Sequence, residues 1–209
     1  MKSPRTNLRH PARNGRGPGG GTGFTLVELL VAISIIAILA SLLLPTLSRG
    51  KRNALAIACV NNLHQVGIAL DIYVQENDNR LPACPMLPSL NTDTNILEPI
   101  TTVLLPYLLT DRVFQCRADS TIFPKEGTSY EWNTFLNGAS YDRPQDWSPV
   151  TRSIVETIFG GRLNTPLIGD AEAFHVPQGN RLGKNALFFD GRVEQTKLNI
   201  VVNAPPITK

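Results

Sequence analysis

A single carboxylate, Glu28, stands near the start of an otherwise uncharged run, "FTLVELLVAISIIAILASLLLPTLS", from Phe24 to Ser48. An acid at bilayer depth is costly, so a plain membrane anchor has no use for it and a partner for the charge is implied. The alternative for Glu28 is to snorkel to the headgroups from a helix end. Other residues able to do chemistry are sparse. The cysteines are Cys59, Cys84 and Cys116, with no C-x-x-C pair, and the histidines are His10, His64 and His175, far apart. That spacing matches no metal-ligand pattern. No nucleophile–base–acid set can be assembled, so no catalytic residue is assigned and an enzyme is the least supported reading. Asp190 with "DAE" at 170–172 is a thin oxygen supply for calcium, which takes about six to eight oxygens. No metal and no other cofactor is expected. His64, beside an apolar helical stripe, should face solvent or headgroups. His175, in "EAFHVPQGN", reads as a surface loop residue. Trp132, Phe135, Tyr141 and Trp147 read as core and loop cover rather than a sugar-stacking platform.

The elements around Glu28 set its meaning. The chain has 209 residues, 42% hydrophobic and 18% charged, which excludes a disordered or multi-span protein. Lys2, Arg5, Arg9, Arg13 and Arg16 face no acid within residues 1–23, whereas the net charge is only +3. The remainder is therefore mildly acidic, and a nucleic-acid partner is not expected. Phe24 to Leu44 is 21 residues, about 31 Å as a helix, enough for a ~30 Å hydrocarbon core. The basic flank places residues 1–23 on the cytoplasmic side and the rest outside. A secretory signal has a similar layout, but no small-x-small site follows in "LLLPTL".

Downstream, Pro45 should kink the helix without ending it. Leu55, Cys59, Leu63, Val66, Leu70 and Tyr73 then recur at helical spacing. One helix from about Phe24 to about Asn77 follows, on the order of 80 Å long, stopped by "ENDNRLP". Its lower half should project from any globular head. The proline-rich stretch 78–111 predicts a long loop with a short helix near Ile100–Leu109. Strand-like runs lie at 112–116, 129–136, 165–170 and 186–195. In the last, Asp190-Gly191 predicts a two-residue hairpin turn. Residues 203–209 should fray, and the leader at 1–23 should be disordered. The fold class is α+β: a long N-terminal helix, transmembrane in its lower half, packed by its outer half on a small antiparallel β-sheet.

"GFTLVELLVAISIIAILASLLLP" resembles the processing signal and first helix of type IV pilins and type II secretion pseudopilins. The resemblance implies a pilin-like fold and cleavage between Gly23 and Phe24 by a membrane-embedded prepilin peptidase, which then N-methylates Phe24. It also implies that Glu28 pairs with the Phe24 amine of a neighbouring subunit during filament assembly. Residues 1–23 become a basic leader that is removed, 24–45 a transmembrane and filament-core helix, and 46–209 an amphipathic helix with a periplasmic α+β head. "CVNNLHQVGIALDIYVQENDNRLP", "VFQCRAD", "TSYEWN" and the final Asp-Gly hairpin are similar to the prepilin-type processing-associated group, named for a motif of His, nine residues, then Asp-Gly. Here Asn180 occupies the histidine's position and His175 lies five residues early. Related sequences often carry both Cys59 and Cys116, which implies that these two pair if the head is exported.

The function so implied is structural: a pseudopilin of a type II secretion or type IV pilus-like filament. Its partners would be prepilin peptidase, other pilin or pseudopilin subunits, the inner-membrane assembly platform and the lipid membrane. It would sit in the inner membrane by a single pass, then in a periplasmic or surface filament. The competing readings are a surface type IV pilus subunit and a membrane-tethered module binding a glycan or secreted protein.

Overall fold

The computed structural model describes residues 23–90 and 97–196. The expectations of a disordered leader and a frayed C-terminus concern residues almost wholly outside that range. The chain divides into two compact units, Met1–Thr46 and Leu47–Lys209. Helix α1 runs Leu26–Glu76 and contains Pro45 without ending there. It stops where Asp78 and Asn79 take left-handed backbone, φ 51° and 60°, a conformation that Asp and Asn tolerate better than most side chains. Asn79 N then donates to Val74 O at 3.0 Å, and Asn77 Nδ2 to Tyr73 O at 2.8 Å, satisfying carbonyls of the last turn.

Four strands form one antiparallel sheet in the order β1 (Tyr130–Trp132), β2 (Pro166–Asp170), β3 (Asn185–Phe188), β4 (Val193–Gln195). Trp132 faces Ile168, Ile168 faces Leu187 and Leu187 faces Val193, an apolar row across all four strands. The side of α1 carrying Cys59, Leu63, Val66, Ala69, Leu70 and Val74 is buried in the same core. Leu55 and Tyr73, at the ends of the predicted stripe, are half-buried. Gly67 permits close approach here, since a Cβ on it would lie 3.2 Å from both Leu187 methyl groups. A buried leucine at such a contact stabilises the fold by about 1.5–3 kcal/mol.

Several expected elements differ. Residues 112–116 are not a strand; Asp111–Phe114 form a 3₁₀ turn, with Thr110 Oγ1 accepting from Arg112 N. Val113 and Phe114 are both buried, so the strand alternation never existed. The strand expected over 129–136 ends at Trp132, because Asn133 Oδ1 accepts from Phe135 N and starts a 3₁₀ turn at Thr134–Leu136. The short helix is α2, Ile100–Leu104, continuing as 3₁₀ over Leu105–Tyr107, where Pro106 falls. The hairpin has three turn residues, not two. Phe188 N donates to Arg192 O and Gly191 N to Phe188 O, and in this turn only Gly191 is left-handed, φ 77°.

Candidate functional site

At the start of α1, Thr25 Oγ1 accepts from Glu28 N at 3.2 Å. In return Glu28 Oε2 accepts from Thr25 N at 2.8 Å and from the Thr25 hydroxyl at 2.7 Å. This is a capping box: each residue satisfies a donor that the first turn leaves without an intrahelical acceptor. The carboxylate also lies at the positive end of the helix dipole. Sequence reasoning missed this local role, although Thr-x-x-Glu before an apolar run was its signal. Gly23 and Phe24 precede the helix and are exposed, Phe24 by 75%. The large apolar side chains from Leu26 to Leu47 are exposed too. Helix α1 is long and apolar enough to cross a membrane, and none of its most apolar stretch is buried in the protein.

In the head, Tyr130 faces Asp170 and Asn185 faces Gln195. A polar level thus lies two residues along each strand from the apolar row, on the same face of the sheet. Against it sits His175, only 8% exposed. The expectation of a surface histidine is therefore wrong. His175 N donates to Gly183 O, and the Gln195 side chain accepts from Gln178 N and donates to Val176 O. These ties fold the loop back on β4 and turn the imidazole inward. Its Nε2 lies 3.4 Å from Asp170 Oδ2 and 3.5 Å from Cys116 Sγ. Burial pushes the Asp170 carboxyl up to about 7, opposed by the hydrogen bond from Asn185 N, and lowers the His175 imidazole.

Cys59 and Cys116 form a disulfide with Cα atoms 5.1 Å apart, tying α1 to the 3₁₀ turn region. Cys84 is a free, buried thiol pushed up to about 12 by burial, which makes it inert as a nucleophile. Beside this level, Lys184 Nζ reaches Glu131 Oε1 and Ala171 O, both at 2.9 Å. His64 is exposed. Asp190 accepts from Arg192 N at 3.2 Å and pairs with its guanidinium, a turn-stabilising role. Trp132 and Trp147 are buried with their ring N–H groups bonded to Asn137 Oδ1 and Ser140 O. Tyr141 and Phe135 are half-buried.

Residues 22–44 match the family model described as the prokaryotic N-terminal methylation motif. The first helix opens with a prepilin-type signal. The chain is also similar to type II secretion system core protein G of Pectobacterium carotovorum subsp. carotovorum, 41% identical over 61 residues, which is 29% of this chain and 38% of that protein. The proteins of the same description from Aeromonas hydrophila and Escherichia coli K12 are 43% and 35% identical. Those matches cover 29% and 35% of this chain, and 42% and 57% of the relatives. The chain thus spans between about two fifths and just over half the length of the relatives it matches. No solved structure matches. The methylation motif and these similarities agree with the long apolar helix and four-stranded sheet in making the chain pilin-like.

Proposed function

We propose that the chain is a structural subunit, a pseudopilin, of a type II secretion or type IV pilus-like filament. The observation that carries this is the exposed apolar segment from Phe24 to Leu47, headed by the methylation motif and the Glu28 carboxylate. An uncovered apolar surface of that length does not stay in water; it is covered by lipid or by copies of itself. Prepilin peptidase cuts between Gly23 and Phe24 and methylates the new amine. The subunit waits in the inner membrane with its head in the periplasm, and the assembly platform adds it to the filament. There Glu28 exchanges part of its capping role for the Phe24 ammonium of a neighbour, so that neither charge is buried unpaired. Pro45 accommodates helix packing in the filament core.

Mass spectrometry of the membrane fraction tests this directly. The mature chain begins at N-methylated Phe24. An intact leader, or cleavage after Leu44, in cells with active peptidase would overturn the reading.

A further inference from the structure

Cys59, Cys116 and His175 come together as buried metal-type ligands: Cys59 Sγ, Cys116 Sγ and the imidazole nitrogen lie within 4.8 Å of one another. Asp170 Oδ2 lies 3.4 Å from that imidazole, and Asp170 Oδ1 is buried without a hydrogen-bond partner among the described residues. We propose that these four side chains form a second state of the site: with the disulfide reduced, Cys59, Cys116, His175 and Asp170 bind one zinc-class divalent cation.

Two spacings, both at His175 Nε2, carry the argument, and the two sulfurs must part from their bonded distance before both can ligate one ion. Four ligands on tetrahedral zinc, with Zn–S about 2.3 Å and Zn–N or Zn–O about 2.0–2.1 Å, stand about 3.5 Å apart for S and N and about 3.3 Å apart for N and O. His175 Nε2 holds its sulfur and oxygen neighbours at 3.5 and 3.4 Å. Both distances fit those edges, whereas 3.4 Å is long for an N–H···O hydrogen bond, which centres near about 2.9–3.0 Å. Each ligand comes from a different element: Cys59 from α1, Cys116 from the turn after Phe114, Asp170 from the end of β2 and His175 from the loop before β3. None can be recruited by local sequence, which is why C-x-x-C spacing is absent. Asn185 N, donating to Asp170 Oδ2 at 2.6 Å, orients the carboxylate. His175 also lines a cavity of about 210 Å³, together with Arg52, Ala56, Phe174 and Gln195.

The two states exclude one another. A phosphine reductant gives two electrons to the disulfide and becomes the phosphine oxide, taking its oxygen from water. The two water protons go to the sulfurs, and both leave to solvent when the metal binds the thiolates. Thiol–disulfide exchange with a disulfide-bearing protein re-forms the Cys59–Cys116 bond and releases the cation, while the partner's disulfide takes the two electrons and two protons from solvent to become two thiols.

The test uses the full chain in detergent, reduced with a phosphine and desalted, with Zn²⁺ and Co²⁺ alone as probes. The reduced chain retains one Zn²⁺ per chain through gel filtration, and the oxidised chain retains none. Co²⁺ gives thiolate charge-transfer absorption and the intense ligand-field bands of a tetrahedral site. His175→Gln and Asp170→Asn each weaken binding by about tenfold or more, His175→Cys preserves it, and Cys84→Ser leaves it unchanged. Near-UV circular dichroism identifies any variant that fails to fold, and the remaining variants then decide. The proposal is overturned if the reduced chain takes up no metal or loses its fold. It is equally overturned if the folded Gln and Asn variants bind as tightly as wild type, which would mark thiol-only adventitious binding.

Discussion

Replacing Lys184 by Met tests whether the head closes around its buried charges. The Lys184 and Glu131 side chains are 7% and 3% exposed, with Nζ 2.9 Å from Oε1. Methionine fills most of the volume but leaves Glu131 buried without its cation. Breaking a buried pair in this way costs about 3–5 kcal/mol, more than the intact pair contributes. For a protein of this size that is a fall in Tm of about 6–20 °C. The pH dependence carries a sign. Burial already raises Glu131 above its ordinary 4.5, and Lys184 pulls it back down. Without Lys184 the folded carboxyl rises further, so the folded state holds its proton more tightly than the unfolded chain. Stability is then lost as pH climbs from 4.5 through the folded value, and the variant approaches wild type on acidification. Lys184→Met with Glu131→Gln removes the orphaned charge and recovers most of the loss. Circular dichroism melts of the full chain in detergent at pH 5 and 8 measure all of this. A Lys184→Met variant melting within about 2 °C of wild type at pH 8 would refute the reasoning.

Leu63→Asp puts a carboxylate into the fully buried side of α1 with no partner; a loss of several kcal/mol follows, and an unchanged melt would mean that this side faces solvent. Non-reducing peptide mapping recovers a Cys59–Cys116 cross-link and a free Cys84, and reduction lowers stability by about 2–4 kcal/mol. Gly191→Val forces a β-branched residue into φ 77°, which costs about 1–2 kcal/mol and is read by chemical denaturation. Glu28→Leu inserts in the membrane at least as well as wild type but enters filaments poorly, as scored by cross-linking of neighbouring subunits.

The parts of this fold that were legible in the sequence are those set by a period or by one special residue. Helix α1 follows from an apolar run continued by helical spacing, and its stop from Asp78 and Asn79. Strand β2 follows from the short apolar run at 165–170, and β3 and β4 from the runs flanking Asp190-Gly191. Where a polar side chain competes locally, the reading failed. Thr110 and Asn133 each bind the backbone two residues on and turn expected strand into 3₁₀ helix. Glu28 was noticed for its charge, yet its capping bond to Thr25 was not, because a charge in an apolar run draws attention to distant partners first.

The buried polar level of the head was hidden for a different reason. Patterning assigns Asp, Glu, Lys and His to the surface, and that default holds unless a partner arrives from far along the chain. Glu131 and Lys184 are 53 residues apart, as are Asn62 and the Gln115 carbonyl it binds, and Cys116 and His175 are separated by 59. No short window contains both members of any of these pairs. His175 illustrates the consequence. Its neighbours Val176, Pro177 and Gln178 spell an exposed turn and are in fact exposed. The Gln195 amide, clasping that turn from β4, acts with the His175 N–Gly183 O bond to hold the imidazole against Asp170 and the sulfurs. Gln195→Ala should therefore release the loop, expose His175 to solvent and raise its imidazole toward the ordinary histidine value of 6.5 by relieving desolvation. NMR titration of the His175 ring protons reads that change, and a titration identical to wild type would show that the loop is held inward by something other than Gln195.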